Sequence, residues 1–220
     1  MISTLTMEQQ LLISTKISEM RHLSVGLGDV ESACSIAAIN LALTGELTDK
    51  VPDCMSRVIG EWIIIIQDSL PASIRNSSRY TDLLPQAAGT GRDFEQERLD
   101  ILLNWMWTVV LPSRQAEADR SGHGGSWKMM CEKRTRLAAH TACSCVPIGL
   151  LESAISHAAA SAATDAVEYA ALFCLPVLSD RHHDVVRAQC VARAAVHSAY
   201  YQPDWDLFNC CDLLEKMILL

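Results

Sequence analysis

The sequence has no strand pattern with a second strand to pair with, no basic start leading into an apolar core, no regular loop spacing of cysteines and no excess of positive charge. Each absence excludes something. Without competing strand signals the fold class is all-α. Without a basic and then apolar N-terminal segment there is no signal peptide to read. Nine cysteines, an odd number, lie mostly within helical patterns (Cys34, Cys131, Cys174, Cys190), which argues against a secreted disulfide scaffold and points to a reducing, cytoplasmic setting. A net charge of −8 argues against a phosphate-binding surface and direct nucleic-acid contact, and leaves open a partner with a basic groove.

What is present is apolar bulk. Half of the 220 residues are hydrophobic, enough to bury a sizeable core in one large helical domain or two packed lobes. The clearest helix is Asp93–Pro112, charged in its first half and apolar nearly all round in its second, through Leu99, Ile101, Leu102, Leu103, Trp105, Met106, Trp107, Val109 and Val110. Such a helix calls for protein on every side. It is too short, and too charged at its start, to cross a bilayer.

The rest of the chain is read around it. Thr6 and Gln9 form a capping box for a helix over Met7–His22, which Gly26 and Gly28 break. Asp29 is placed to cap a helix over Val30–Thr44 with a small-residue stripe, stopped by Gly45. Pro52 is placed in the first turn of a third helix, which runs through the β-branched stretch Trp62–Ile66 to Leu70. A short turn of helix is expected around Arg79–Leu84. Pro112 should kink or end the central helix, with a polar continuation to Arg120, and Ser121–Gly125 is the expected boundary between lobes spanning 1–125 and 126–220.

From Leu137 to Ala199 roughly a quarter of the positions are alanine, well above ordinary usage. Helices are expected over Trp127–Cys145, Ile148–Ala163, Asp165–Leu175, Arg181–Tyr201 and Asp204–Leu220, stacked as a multi-helix array.

Several constellations invite chemistry. His182-His183-Asp184, with His157 upstream and Asp204 or Asp206 downstream, resembles in one dipeptide the way HD phosphohydrolases hold divalent metals, but a polar first helical turn is the better account of it. Cys143-x-Cys145 and Cys210-Cys211 lack the spacing of structural zinc sites and read as buried thiols. A reactive cysteine beside His140 or His197 has no nucleophile motif around it. The Gly89–Arg92 turn precedes Asp93, Glu95 and Glu97, whose charges repel phosphate. Lys128, Lys133, Arg134 and Arg136, beside Trp127, read as a solvated helix face. No catalytic residue, metal ligand or cofactor is therefore expected.

Cys34–Ser56, Leu83–Arg92, Glu97–Trp107 with Val110–Pro112, and Cys211–Met217 resemble a group of uncharacterised helical proteins from phages and prophages, whose second half is alanine-rich. The resemblance covers most of the first 130 residues and the last dozen, and this chain departs from it between about Ile148 and Tyr200. It implies a phage accessory protein, in the manner of anti-CRISPR inhibitors that bind a nucleic-acid-processing host defence complex. The expected contact is the acidic start of the central helix, Asp93, Glu95, Glu97 and Asp100. A metal-dependent hydrolase using His157, His183 and Asp184, and a self-associating helical protein forming a homodimer, are the competing expectations.

Overall fold

The computed structural model describes residues 4–146, 156–165, 181–199 and 205–220, with only the main chain at 181–184. Among these the fold is all-α, without a strand beyond one isolated bridge between Gly28 and Ala33. The chain divides into two compact units, Met1–Arg98 with Asn209–Leu220, and Leu99–Phe208. The break foreseen at Ser121–Gly125 lies inside the second unit. There Gly122, at a φ of +80°, turns the chain tightly and Gly124 already opens a helix, close enough to Asp119 that a Cβ would collide with its carboxylate. This is a close-packed corner.

In the first unit, α1 (Met7–Glu19) starts at the expected capping box: Gln9 N–H donates to Thr6 Oγ1, and the Thr6 N–H to Gln9 Oε1. It packs on α2 (Ser35–Thr44), whose Ile36, Ala37, Ala38 and Ile39 are fully buried. That helix starts five residues later than the sequence suggests. Asp29 instead closes a surface loop, its Oδ1 accepting from the N–H groups of Glu31 and Ser32, and the Cys34 thiol takes over as cap by accepting from Ala37 N–H at 3.3 Å. Gly45, at a φ of +76°, ends α2 as read from the sequence.

Helix α3 (Arg57–Ser69) begins after Pro52, not on it, with Ser56 as its cap. Trp62–Ile66 is helical despite its β-branching, because Val58, Ile59, Trp62, Ile63 and Ile66 form one fully buried face. Short turns α4 (Ala72–Arg75), α5 (Ser78–Thr81) and α6 (Leu84–Ala88) follow. The buried Arg75 guanidinium holds this region by donating to the carbonyls of Leu23, Gln67 and Leu70, each at 3.0 Å.

Helix α7 (Glu95–Trp105) carries the chain from the first unit into the second and runs into a π-helical turn, Met106–Val110. Leu99, Leu102, Met106, Val110 and Leu111 are fully buried. Glu97, Asp100, Asn104 and Thr108 nevertheless form an exposed stripe at helical spacing, so the helix is not covered on every face as its second half suggests. A short 3-10 turn at Pro112–Arg114 leads to α8 (Gln115–Arg120), α9 (Gly124–Lys133) and α10 (Arg136–Cys145). The single helix foreseen over Trp127–Cys145 is broken at Arg134, in the left-handed region at a φ of +53°, and Thr135 caps a fresh start.

Residues 156–165 form α11, and Arg181–Ala199 form α12, which packs against the π-helical turn. Alanines line the covered side of each: Ala159, Ala160 and Ala163 on α11, and Ala188, Ala192 and Ala195 on α12, are fully buried. The expected helices over Ile148–Ala163 and Asp165–Leu175 otherwise lie outside the described residues. The last predicted helix is two: α13 (Trp205–Phe208), in the second unit, and α14 (Cys210–Ile218), in the first, separated by Asn209 at a φ of +47°. Asparagine tolerates this left-handed conformation better than most residues, which makes a sharp break cheap there.

Candidate functional site

The four carboxylates expected to meet a partner do not share one fate. Glu95 is half-buried and turned back on α3, where it accepts hydrogen bonds from Ser56 Oγ at 2.6 Å, Arg57 N–H at 2.7 Å and Val58 N–H at 3.2 Å. Amide donors that a helix start leaves without partners are thus met by a carboxylate at the positive end of the helix dipole. Asp93, Glu97 and Asp100 are exposed.

Between them stands Phe94. Its side chain is 48% exposed and its φ is +61°, a left-handed conformation that costs an ordinary residue about 1–2 kcal/mol. The strain persists because the chain is fastened on both sides. On one side, Gly91 N–H donates to Cys54 C=O at 2.8 Å and Thr4 N–H to Gly89 C=O at 2.9 Å. On the other, the fully buried Arg98 guanidinium donates to the carbonyls of Asp93, Thr90 (3.2 Å) and Met217 (3.0 Å). Burial draws the Arg98 pKa below its usual value, while the charges of Glu95, Asp93 and Glu97 act to raise it. The result is an aromatic side chain held out on a pinned turn with Asp93 and Glu97 beside it. Sequence reading found the acids and missed Phe94, because nothing local marks a phenylalanine for positive φ.

The Gly89–Arg92 turn is not an anion cradle. Its Gly91 N–H is spent on Cys54, and Thr90 Oγ1 accepts from Ser56 N–H while donating to Ala87 C=O.

The basic residues Lys128, Lys133, Arg134 and Arg136 are exposed, as a solvated face requires. Trp127 is instead fully buried and donates its indole N–H to Leu111 C=O at 2.8 Å, so it offers no ring for a base to stack on.

Among the described residues no three His, Cys, Asp or Glu side chains converge as a metal site. The side chains of His182, His183 and Asp184, and all of Asp204, lie outside the described residues; Asp206 is exposed. His157 meets Cys143, across the α10 and α11 segments, with Sγ 3.4 Å from Nδ1 and 3.7 Å from Nε2. Burial, helped by the charge of Asp165, pushes the Cys143 thiol up from its ordinary value. Burial likewise pushes Cys131 and Cys190 up to about 11, which keeps both as thiols at neutral pH. The eight described cysteines are all free.

A cavity of about 250 Å³ lies beside the end of α1, lined by Arg21, His22, Asn76, Thr81 and Asp82 among others. It falls below the roughly 300–1,000 Å³ usual for small-molecule sites. Asn76 Oδ1 accepts from Leu23 N–H, and the hydroxyls of Ser14, Ser18 and Thr81 donate to carbonyls of their own helices, so much of its polar lining is already engaged.

Among the described residues no helix is long and apolar enough to cross a membrane. No family model, no curated protein and no solved structure matches this chain.

Proposed function

We propose that this chain works by binding another protein, as an inhibitor of a nucleic-acid-processing defence complex of the kind that phages encounter. The observation that carries the reading is the Phe94 turn. A half-exposed aromatic on a pre-fixed backbone contributes contact area without a further ordering cost, and aromatic anchors of this sort dominate binding energies. The exposed Asp93 and Glu97, within three residues of it in the same unit, supply a field that steers toward a basic surface, such as a groove that otherwise holds nucleic acid. The overall charge of −8 has the same sign. The likeness of Glu97–Trp107 and its flanking segments to phage and prophage proteins supplies the biological setting.

The test is capture of the tagged chain's partners from a host lysate, with washes at low and high salt. A nucleic-acid-processing complex retained at low salt, weakened by high salt and lost with Phe94→Ala or with Asp93→Lys/Glu97→Lys supports the reading. Retention that ignores both variants removes the turn as the binding element. Recovery of the chain alone, as a tight dimer, favours self-association.

A further inference from the structure

Independently of that reading, we propose that α1 is a self-association surface, on which a second copy of this chain packs its own α1 in antiparallel orientation about a twofold axis. Three observations converge. The first is an exposed seam. Met7, Leu11, Ser14 and Ser18 follow one another at steps of four, three and four residues, which at about 100° per residue puts them on one side of the helix. All four are exposed, Met7 at 86% and Leu11 at 66%. The steps read the same in both directions, so reversing the helix brings Met7 to the place of Ser18 and Leu11 to the place of Ser14. A twofold interface requires this, because the same patch must both present and receive.

The second is that the seam is bulky at one end and hollow at the other. Ser14 and Ser18, with Ile17, Met20 and Leu23, line the cavity of about 250 Å³ beside the end of α1. Antiparallel pairing sets Met7 of the second copy over Ser18 and Leu11 of the second copy over Ser14, so two large apolar side chains reach the mouth of that cavity, and the exchange is reciprocal. The polar groups they cover are already met: Ser14 Oγ donates to Gln10 C=O, Ser18 Oγ to Thr15 C=O and Asn76 Nδ2 to Ala72 C=O. Covering these strands no donor.

The third is charge. Helix α1 carries Glu8 in its first turn, Lys16 in its last and Glu19 at its end, and none of the three has an ion partner among the described residues. In the antiparallel pair Glu8 stands level with Lys16 of the second copy to within one residue, and Glu19 meets the positive start of the other helix at Thr6 of the second copy. A parallel pair would set like charges together. A contact made by one helix of 13 residues, about 20 Å long, falls short of the roughly 800 Å² per partner of a standard stable interface, so the dimer is reversible and concentration-dependent.

The experiment is sedimentation velocity on the purified, reduced full chain, from low micromolar to near-millimolar concentration. Wild type is compared with Leu11→Glu, with Ser14→Lys, with an equimolar mixture of those two, and with Leu137→Glu, a change at an exposed leucine of the second unit. Far-ultraviolet circular dichroism confirms that each variant is folded. The expected result is a monomer–dimer equilibrium in wild type, weakened at least tenfold by Leu11→Glu alone and by Ser14→Lys alone, and unchanged by Leu137→Glu. In the mixture the dimer should return, since one place then keeps Leu11 over Ser14 and the other sets a glutamate against a lysine. Wild type that stays monomeric at the highest concentration overturns the proposal, as does a dimer that survives Leu11→Glu, is lost with Leu137→Glu, or fails to return in the mixture. If Leu11→Glu or Ser14→Lys does not fold, Met7→Glu and Ser18→Lys make the same comparison at the next place along the seam.

Discussion

Truncating Glu95 should unlatch the start of α3, and its cost can be worked from the contacts. The carboxylate accepts from one hydroxyl and two main-chain amides, at 2.6, 2.7 and 3.2 Å. A hydrogen bond to a charged group contributes about 1.5–3 kcal/mol where it is well buried. Glu95 is only half-buried, so water reaches the vacated amides and recovers part of that. Ser56 Oγ also continues to accept from Ile59 N–H at 3.2 Å, which preserves the ordinary N-cap, itself usually a contribution of about 1 kcal/mol. The remainder for Glu95→Ala is about 2–3 kcal/mol. Glu95→Gln keeps one acceptor oxygen but sets an NH2 group against donors, and should cost about half as much. The comparison is Glu97→Ala, an exposed carboxylate two residues on, where a change within about 0.5 kcal/mol is expected. Urea unfolding followed by circular dichroism measures all three. If Glu95→Ala unfolds at the same midpoint as Glu97→Ala, the carboxylate does not hold the helix and the assignment of Glu95 as a structural group is wrong.

At Phe94 the usual order of alanine and glycine should invert. Alanine keeps the left-handed strain of about 1–2 kcal/mol, whereas glycine removes it for about 0.5–1 kcal/mol of added backbone entropy, so Phe94→Gly should be the more stable by about 0.5–1 kcal/mol in the same assay. Gly60→Ala, which in an open helix would stabilise, should instead cost about 1–3 kcal/mol, because the new methyl overlaps both methyls of Val51; Val51→Ala in the same chain should restore most of the loss, and a lack of coupling between the two would refute the packing argument. Burial, with the charge of Arg193 in support, lowers the His197 pKa below its ordinary value. The unfolded chain then binds the extra proton first, so stability should fall as pH drops below about 6.5 and level off below the folded value, and His197→Gln should flatten that slope in a series of melts.

Where helix formation rests on local pattern, the sequence is a sufficient guide. The Thr6/Gln9 box, the Gly45 stop and the apolar spacing from Val58 to Ile66 all appear as read, because each depends on residues within a few positions of one another. The departures share a different cause. Asp29 has two local uses, helix cap or loop closure, and the start of α2 is decided by the buried Ala33–Ile39 stretch, not by the cap. Arg134 and Asn209 break helices by positive φ without a glycine to announce it. The candidate site was half legible: exposed acids at 93, 97 and 100 follow from composition and position, but Glu95's partners lie 37–39 residues back in the chain. Glu95 reads from sequence as a first-turn acid of its own helix, and the structure gives it the start of another.

The hold of Arg98 on Met217 also sets a timetable. These residues are 119 positions apart, and the whole second unit, Leu99–Phe208, is encoded between them. At about 5–20 residues per second, synthesis separates them by roughly 6–24 s. For that interval the nascent first unit lacks α14, the Met217 carbonyl that Arg98 needs, and the Asp212 and Glu215 carboxylates that meet Arg79. The second unit, though it starts later, has all its residues first. A chain stalled anywhere between residues 99 and 209 therefore leaves an incomplete first unit with a buried guanidinium short of a partner, the kind of species that chaperones and proteases recognise.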